Sequence, residues 1–319
     1  MDFRVKLATV IVVLAPFVAL PARSEPPVGG WAAHQAPGFY RLQLGDFRIT
    51  VLSDGTAPRD LPGIMSKPEE VRAAFAASHE TLPVDISINC FLVDTGAMKV
   101  LVDTGAGELF GQASGRIVSN MRAAGYSPAS IDAILLTHIH GDHSGGLTVA
   151  NEQIFPNALV YVDRRDVDHW LSESEEAKVA PNRRQTFEQS RKTVGPYVQA
   201  GKLRTFEGAT ELFPGIHSVP LNGHTPGHAA YMLNSREERL LLWGDIVHAA
   251  EVQFADPSVT IDYDVDPEQA IASRSRALAN AAQEGYLVGG AHLSFPGLGH
   301  VRLQQGTYTW VPAPYRSSP

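Results

Sequence analysis

Residues 135–146 read LLTHIHGDHSGG. Four potential metal ligands, His138, His140, Asp142 and His143, follow an apolar run that predicts a buried strand. In an extended chain His138 and His140, two residues apart, point to the same face. The glycine after His140 lets the chain turn, so that the next pair is aimed at a second point. Crowding four titratable side chains into one loop needs a compensating partner. The stretch therefore favours two ligands for each of two metal ions.

Three later polar residues have the same setting, because each comes at or just after the end of an apolar run: His224, Asp245 and His292. Taken singly, each of these residues could have a structural role instead of binding a metal. Asp245 is equally typical of a turn or a helix cap, and a loop histidine is equally typical of a satisfied structural residue. The three gain weight as a set, since all of them extend the pattern begun by residues 135–146.

The composition restricts what such a site can contain. The 319 residues include twelve histidines but one cysteine, Cys90, which excludes an intramolecular disulfide and a thiolate-rich metal site. Cys90 lies in an apolar run, where a buried small hydrophobic residue is expected. Hydrophobic residues make up 44% and charged residues 19% of the chain, which is typical of a globular domain and excludes a disordered or coiled-coil protein.

The N-terminus has the pattern of a secretory signal peptide over residues 1–24, which leaves a single domain over residues 25–319. A basic start, an apolar run too short to span a bilayer and a small-x-small cleavage pattern support this interpretation. Removing the segment takes away three basic residues and one acidic residue, and the formal charge falls from −8 to −10. We expect an exported, periplasmic or secreted protein with no membrane span in its mature form and no nucleic-acid partner.

Local patterns predict a mixed α/β fold. Gly45-Asp46 is a two-residue hairpin turn between the runs 39–44 and 47–52, and Ser66 with Glu69 forms a capping-box pattern for a helix through about Ser78. Further strands are predicted over residues 86–93, 98–102, 131–136, 158–162, 216–219, 229–233, 239–243 and 286–288, and helices over residues 117–124, 164–172, 186–200 and 267–284. This order suggests two mixed sheets packed face to face with helices on the outer faces.

The ligand pattern resembles the metallo-β-lactamase superfamily, whose signature is His-x-His-x-Asp-His followed by a later His, a later Asp and a final His. The resemblance covers roughly residues 40–310 and implies an αββα sandwich. It assigns His138, His140 and His224 to one metal, and Asp142, His143 and His292 to the other, with Asp245 bridging both. It also implies that Asp103, in the early Leu-Val-Asp-Thr-Gly element, is a hydrogen-bonding residue beside the site, and that His228 orients the loop around His224.

The chemistry that the resemblance implies is direct hydrolysis by a hydroxide shared between two metal ions, without a covalent enzyme intermediate. Seven nitrogen and oxygen ligands suit zinc first, with manganese, iron or cobalt as alternatives. Asp245 and Asp142 are the residues with catalytic roles. Asp245 would hold both ions, and Asp142 would orient the hydroxide or carry a proton to the leaving group. The native metal is not determined by the sequence.

A closer resemblance is to the methyl parathion hydrolases and the related exported lactonases and arylesterases, through the stretches 38–41, 44–47, 254–260 and 291–300. It implies an apolar aromatic pocket over the metals. Phe110, Trp170 and Phe187 would line this pocket, although core packing is an equal alternative for Phe187.

The chain departs from the methyl parathion hydrolases at His248, Ile261 and Tyr263, where those enzymes have smaller or purely aliphatic residues. Larger and more polar walls should narrow the space for a phosphotriester while admitting a planar lactone or aryl ester. We therefore expect a lactonase or arylesterase with promiscuous organophosphotriester hydrolysis. The alternatives are a methyl parathion hydrolase-type main activity and a non-catalytic exported metal-binding protein.

The expected partner is a small-molecule ester, lactone or phosphotriester. The sequence does not identify the physiological substrate, and it does not determine whether the protein forms a homodimer. The charge-rich segment 173–184 lacks apolar periodicity, and whether it forms a mobile lid is also open.

Overall fold

The structure is a computed structural model that describes residues 35–318. The predicted signal peptide, residues 1–24, lies outside the described residues. From Pro37 onward the described chain forms one compact unit. Within it, no helix has the length and apolar character needed to cross a membrane.

Sixteen strands occur in the described part of the chain, and the larger ones form two seven-stranded sheets. The strands are β1 Phe39–Leu44, β2 Phe47–Arg59, β3 Val84–Asp94, β4 Lys99–Val102, β5 Ala133–Leu135, β6 Thr148–Val149, β7 Glu152–Gln153, β8 Leu159–Asp163, β9 Leu203–Phe206, β10 Glu211–Phe213, β11 Ile216–Pro220, β12 Ala229–Ser235, β13 Glu238–Leu242, β14 Leu287–Gly289, β15 Leu298–Gln304 and β16 Thr307–Pro312. The first sheet has the order β1-β2-β3-β4-β5-β8-β9 and the second has the order β10 to β16. Both are mixed, since β4, β5, β8 and β9 pair in parallel in the first sheet and β13 and β14 do so in the second.

Helices of the described residues connect these strands. They are α1 Leu61–Ile64, α2 Pro68–Ala77, α3 Ile117–Ala123, α4 Gly141–Ser144, α5 Arg164–Trp170, α6 Glu173–Glu176, α7 Arg184–Gln199, α8 Ala250–Gln253 and α9 Pro267–Glu284. Side chains of both sheets, such as Val51 and Tyr231, share the inner core. Helices α3 and α7 pack on the outside of the first sheet, and α9 packs on the outside of the second. The predicted α/β sandwich of two mixed sheets with outer helices is confirmed.

Strand β2 is longer than predicted, because it continues past a bulge. Its pairing with β3 shifts between Ser53 and Gly55, where Gly55 has a φ of 128° and lies against the backbone of Ala113. Bulges bend and twist the strand that carries them. The extension brings Ala57 and Arg59 to the wall of the cavity described below.

The predicted capping box at Ser66 and Glu69 is wrong. Helix α2 begins after Lys67, which has a left-handed φ of 57° and no side-chain cap. The Ser66 hydroxyl instead accepts a hydrogen bond from the Thr260 N–H at 2.9 Å. A long-range contact with another loop therefore replaces the local one, and Glu69 pairs with Arg72 within the helix at 3.7 Å.

The sequence patterns missed the strands β6, β7, β9 and β10, the hairpin β15–β16 and the short helices α1, α4 and α8. The hairpin strands expose most of their residues and lack the apolar runs used to find the others. The charged segment 173–184 is partly ordered into helices. Ser172 caps α6 by accepting from the Glu175 N–H at 3.2 Å, and a 3₁₀ turn, Pro181–Arg183, leads into α7.

Candidate metal centre and substrate pocket

The seven predicted ligand residues all follow strand ends. Four of them follow β5, in the loop and the short helix α4 that come after it. The other three, His224, Asp245 and His292, follow β11, β13 and β14. A loop at a strand end can present polar side chains while the strands hold its position. The structure brings these seven side chains together in two adjoining clusters.

The first cluster consists of His138, His140, His224 and Asp245, whose ligand atoms lie within 4.8 Å of one another. His224 Nε2 is 3.1 Å from His140 Nδ1 and 3.2 Å from Asp245 Oδ2. His138 Nε2 is 3.7 Å from the same Asp245 oxygen. Around a tetrahedral zinc ion with bonds of about 2.0–2.1 Å, neighbouring ligand atoms are about 3.3 Å apart. The spacing in the cluster therefore fits such an ion.

The second cluster consists of Asp142, His143 and His292. His143 Nε2 lies 3.0 Å from Asp245 Oδ1, and His292 Nε2 lies 3.2 Å from that oxygen. His292 Nε2 is also 3.6 Å from Asp142 Oδ2. Asp245 Oδ1 therefore faces the second cluster, while Oδ2 contacts His224 in the first cluster and also lies 3.2 Å from His292 Nε2.

Buried atoms without partners show that these residues fit metal ions. His138 Nε2, His143 Nε2 and Asp245 Oδ1 are buried and make no hydrogen bond of acceptable geometry with any described residue. Leaving such atoms unpaired costs free energy. A set of imidazoles and carboxylates without sulfur suits zinc and its neighbours. Both clusters therefore suit divalent ions, with Asp245 placed to contact both.

Asp103 holds His143 in place. Its carboxylate accepts hydrogen bonds from the Thr137 N–H at 2.8 Å and the Thr137 hydroxyl at 2.9 Å. Asp103 Oδ2 lies 2.8 Å from His143 Nδ1, so a proton on this nitrogen leaves Nε2 free for a metal. Asp103 itself has a left-handed φ of 59°.

His228 supports Asp245 through the backbone. His228 Nδ1 donates to the Leu221 carbonyl at 3.0 Å, and Nε2 accepts from the Asp245 N–H at 3.0 Å. Burial, reinforced by nearby His224, lowers the pKa of His228 to about 3, so the ring is neutral as this pairing requires. Gly244 packs directly against this ring with a left-handed φ of 59°.

Asp264 is a site residue that the sequence analysis missed. Its Oδ1 lies 2.9 Å from His224 Nδ1, and its Oδ2 accepts from the Ile261 N–H at 3.2 Å. Burial opposes the charged form, but the hydrogen bond with His224 lowers the pKa of Asp264. Asp264 therefore orients His224 as Asp103 orients His143. It lies in an irregular loop, and no local pattern distinguishes it from a turn aspartate.

Asp166, at the first turn of α5, was also missed. Its carboxylate accepts from the Ile139 N–H at 2.9 Å and the Gly227 N–H at 2.6 Å. It thus joins the loop that carries His138 and His140 to the loop that carries His224. Burial raises the pKa of Asp166 to about 6.

Replacing Asp264 with asparagine is expected to weaken binding of one metal ion by about 10- to 100-fold while sparing the other, as other losses of outer partners do. In either orientation the new amide turns its NH2 toward the His224 Nδ1–H or the Ile261 N–H. A chelator competition titration would resolve the two binding steps. The control is Asp262→Asn, an exposed position two residues away. Equal weakening of both steps, or of neither, would contradict the role of Asp264.

A cavity of about 590 Å³ opens over the two clusters. The structure places Phe110, Trp170 and Phe187 in its wall. The Trp170 ring meets the His140 ring edge-on at 5.0 Å and packs on Phe187 at 4.8 Å. Both Trp170 and Phe187 are buried and belong to the core on the outside of the first sheet. Both residues therefore belong to the hydrophobic core and also form part of the cavity wall.

His248, Ile261 and Tyr263 lie in the same wall. His248 is close to the metal clusters, since its Nε2 is 3.1 Å from Asp245 Oδ2 and its ring stacks on His292 at 5.3 Å. Ile261 is buried, whereas Tyr263 is 41% exposed at the rim. His248 thus borders both the metal centre and the cavity.

Two cations that no sequence pattern marked, Arg59 and Arg183, also line the cavity. The Arg59 guanidinium lies over the Phe110 ring at 4.9 Å, and Arg183 is in the 3₁₀ turn before α7. The cavity is therefore less purely apolar than the resemblance implied.

Comparison with known proteins identifies a matching superfamily and similar lactonases. The model of the metallo-beta-lactamase superfamily matches residues 84–292, more than half of the chain. The N-acyl homoserine lactonase AiiA of Bacillus thuringiensis subsp. kurstaki is 25% identical over 213 residues, which cover 60% of this chain and 76% of that protein.

Two solved structures are similar over most of the chain. The crystal structure of the hydrolase AbOPH of the beta lactamase superfamily has a TM-score of 0.85 and 35% identity, and covers 89% of this chain and 100% of that chain. AidC, a dizinc quorum-quenching lactonase in complex with a product, has a TM-score of 0.81 and 26% identity, and covers 88% of this chain and 99% of that chain.

Proposed function

The chain belongs to the metallo-β-lactamase superfamily and is a metal-dependent hydrolase, and we propose that it hydrolyses lactones or aryl esters in the cavity over its two metal-ligand clusters. The observation that carries the proposal is the position of Asp245. Oδ1 of this carboxylate lies 3.0 Å from His143 Nε2, and Oδ2 lies 3.2 Å from both His224 Nε2 and His292 Nε2, so the carboxylate touches both clusters in the wall of the cavity. When bound at such a centre, divalent ions lower the pKa of a water molecule and polarise a carbonyl oxygen.

The protein's own residues have distinct tasks in this proposal. Asp245 holds the centre together, and Asp103 and Asp264 orient the imidazoles on either side of it. Asp142 lines the cavity, and its side chain is 20% exposed, more than that of Asp245. Its carboxylate is therefore the group we assign to carry a proton to the leaving alkoxide or phenoxide.

The residues in the cavity wall suit an ester or lactone that carries an apolar substituent. Phe110, Ile261 and Leu109 offer apolar surface near the clusters, where an acyl chain or aryl ring would be removed from water. The similar proteins AiiA and AidC are lactonases, which makes an N-acyl homoserine lactone the first lactone to test.

Phosphotriester hydrolysis is the alternative activity. A tetrahedral phosphotriester carries three ester groups and one phosphoryl oxygen or sulfur around phosphorus and needs space on all sides, whereas a lactone ring is nearly flat. His248 lies in the cavity wall with its Nε2 3.1 Å from Asp245 Oδ2, so its ring occupies space beside the metal centre. We therefore assign phosphotriester hydrolysis to promiscuous turnover.

A substrate panel on metal-loaded protein tests whether lactone or aryl ester hydrolysis exceeds phosphotriester hydrolysis. N-hexanoyl homoserine lactone, dihydrocoumarin, phenyl acetate and methyl parathion would be compared by kcat/KM. We expect the best lactone or aryl ester to exceed methyl parathion by at least about tenfold, equivalent to about 1.4 kcal/mol of transition-state free energy. A higher kcat/KM for methyl parathion would reverse the order and make the phosphotriesterase activity primary.

A further inference from the structure

Arg274, on helix α9, is the only lysine or arginine that is buried among residues 35–318, and 1% of it is exposed. Burying a cation costs free energy unless charged or hydrogen-bonding groups of the protein replace its water. The side chain does not line the cavity and has no part in the proposed hydrolysis. Its role therefore depends on the protein groups that surround the guanidinium.

The guanidinium of Arg274 joins two loops. Its Nε donates to the Ile246 carbonyl at 2.7 Å, in the loop that follows β13. Its Nη1 donates to the carbonyls of Pro257 and Val259 at 2.8 and 2.9 Å, in a second loop. Ile246 is the residue after Asp245, so the first bond lies next to the carboxylate that touches both clusters. Because the guanidinium is planar and its donors have fixed directions, these bonds hold the two loops at a set distance.

The second loop leads to Asp264, which orients His224. Arg274 Nη2 lies 3.9 Å from Asp264 Oδ2, and both side chains are buried. Opposite charges attract more strongly there than in water, because the surrounding protein has a low dielectric constant. Asp264 Oδ1 in turn lies 2.9 Å from His224 Nδ1. One guanidinium thus reaches His224 through Asp264, and it reaches Asp245 through the backbone.

We infer that Arg274 is a positioning residue of the metal centre, which keeps Asp245 and His224 at the separation that the first cluster needs. The inference rests on the proposed metal centre and not on the identity of the substrate. Arg274 acts through the Ile246 backbone and through Asp264, since it reaches neither the cavity nor a metal ligand directly. Zinc affinity should therefore depend on Arg274, and substrate binding to the metal-saturated protein should not.

Arg274→Lys keeps the positive charge but places all its donors on one nitrogen, which cannot reproduce the contacts of Nε and Nη1. We expect zinc affinity, measured by chelator competition, to fall about tenfold, as it does when other outer partners are lost. KM at saturating zinc should change less than about twofold. The matched control is Arg276→Lys, at an exposed position two residues along the same helix, which should change neither value. Unchanged zinc affinity in Arg274→Lys would overturn the inference, even if the variant were less stable.

A second variant separates positioning from general loss of stability. Leu233 is fully buried in the inner core between the sheets. Leu233→Ala leaves a cavity there and should lower the midpoint of urea unfolding at least as far as Arg274→Lys does, while zinc affinity stays at the wild-type value. If zinc affinity fell equally in both variants, it would merely follow stability, and Arg274 would have no positioning role.

Chemical rescue tests the guanidinium itself. Arg274→Ala should bind zinc more weakly than Arg274→Lys, and ethylguanidinium chloride, but not sodium chloride at the same concentration, should restore part of the affinity. Absence of rescue in a folded Arg274→Ala protein would count against the inference; if that variant does not fold, Arg274→Lys decides alone. A wild type that binds no zinc would overturn the metal centre together with this inference. Two bound zinc ions in the wild type and no loss in Arg274→Lys would overturn the inference alone.

Discussion

Replacing Asp245 with alanine is expected to abolish hydrolysis of every substrate and to reduce the bound metal to at most one ion per chain. The Asp245 carboxylate contacts both clusters, with Oδ1 at 3.0 Å from His143 Nε2 and Oδ2 at 3.2 Å from His224 Nε2. Loss of outer partners already costs about 10- to 100-fold in affinity or activity, and loss of a shared ligand should cost more. Metal content by mass spectrometry and kcat/KM on the best substrate would measure both effects.

Asp168→Ala is the control for this variant. Asp168 is exposed on α5, and we assign it no contact with either cluster. It should retain two metal ions and full activity. An Asp245→Ala protein that keeps two ions and more than a tenth of wild-type activity would show that Asp245 does not join the two clusters.

Replacing Gly244 with alanine is expected to lower the free energy of unfolding by about 3 kcal/mol and to weaken metal binding as well. A Cβ at this position would lie 2.7 Å from His228 Nε2 and 2.9 Å from the Thr137 Cβ. The left-handed φ of 59° costs about 1 kcal/mol for alanine, and overpacking adds about 1–3 kcal/mol. The clash also pushes the His228 ring away from Asp245, which weakens the hydrogen bond that His228 Nε2 accepts from the Asp245 N–H. Denaturant titration and a chelator competition would record the two losses.

Gly285→Ala separates backbone strain from the clash. Gly285 ends α9 with a φ of 69°, but a Cβ there meets nothing within 4 Å. This control should lose only about 1 kcal/mol and keep its metal affinity. If Gly244→Ala were no more destabilised than Gly285→Ala, and bound metal normally, the packing of Gly244 against His228 would have no bearing on the site.

The ligand positions could be identified from the sequence because local patterns mark them. Each lies just after an apolar strand, and His138 and His140 have the two-residue spacing of an extended chain. The sandwich could be predicted for a similar reason, since its inner strands are nearly continuous apolar runs. Strands β15 and β16 were missed because they expose much of their surface and carry a weaker pattern.

The supporting residues could not be identified in this way, because tertiary contacts determine their roles. Asp264 is 40 residues from His224, and Asp166 joins two loops that are far apart in the sequence. Ser66 looked like a helix cap but binds Thr260, because a distant loop competes with the local bond.

We propose that two metal ions held by seven nitrogen and oxygen ligands drive the hydrolysis of a lactone or aryl ester. The most direct test is a zinc titration of chelator-stripped protein, with kcat/KM on the best substrate of the panel measured at each addition. We predict negligible activity without metal and a rise that saturates at two zinc equivalents per chain. Full activity in the stripped protein, or saturation at one equivalent, would contradict the claim.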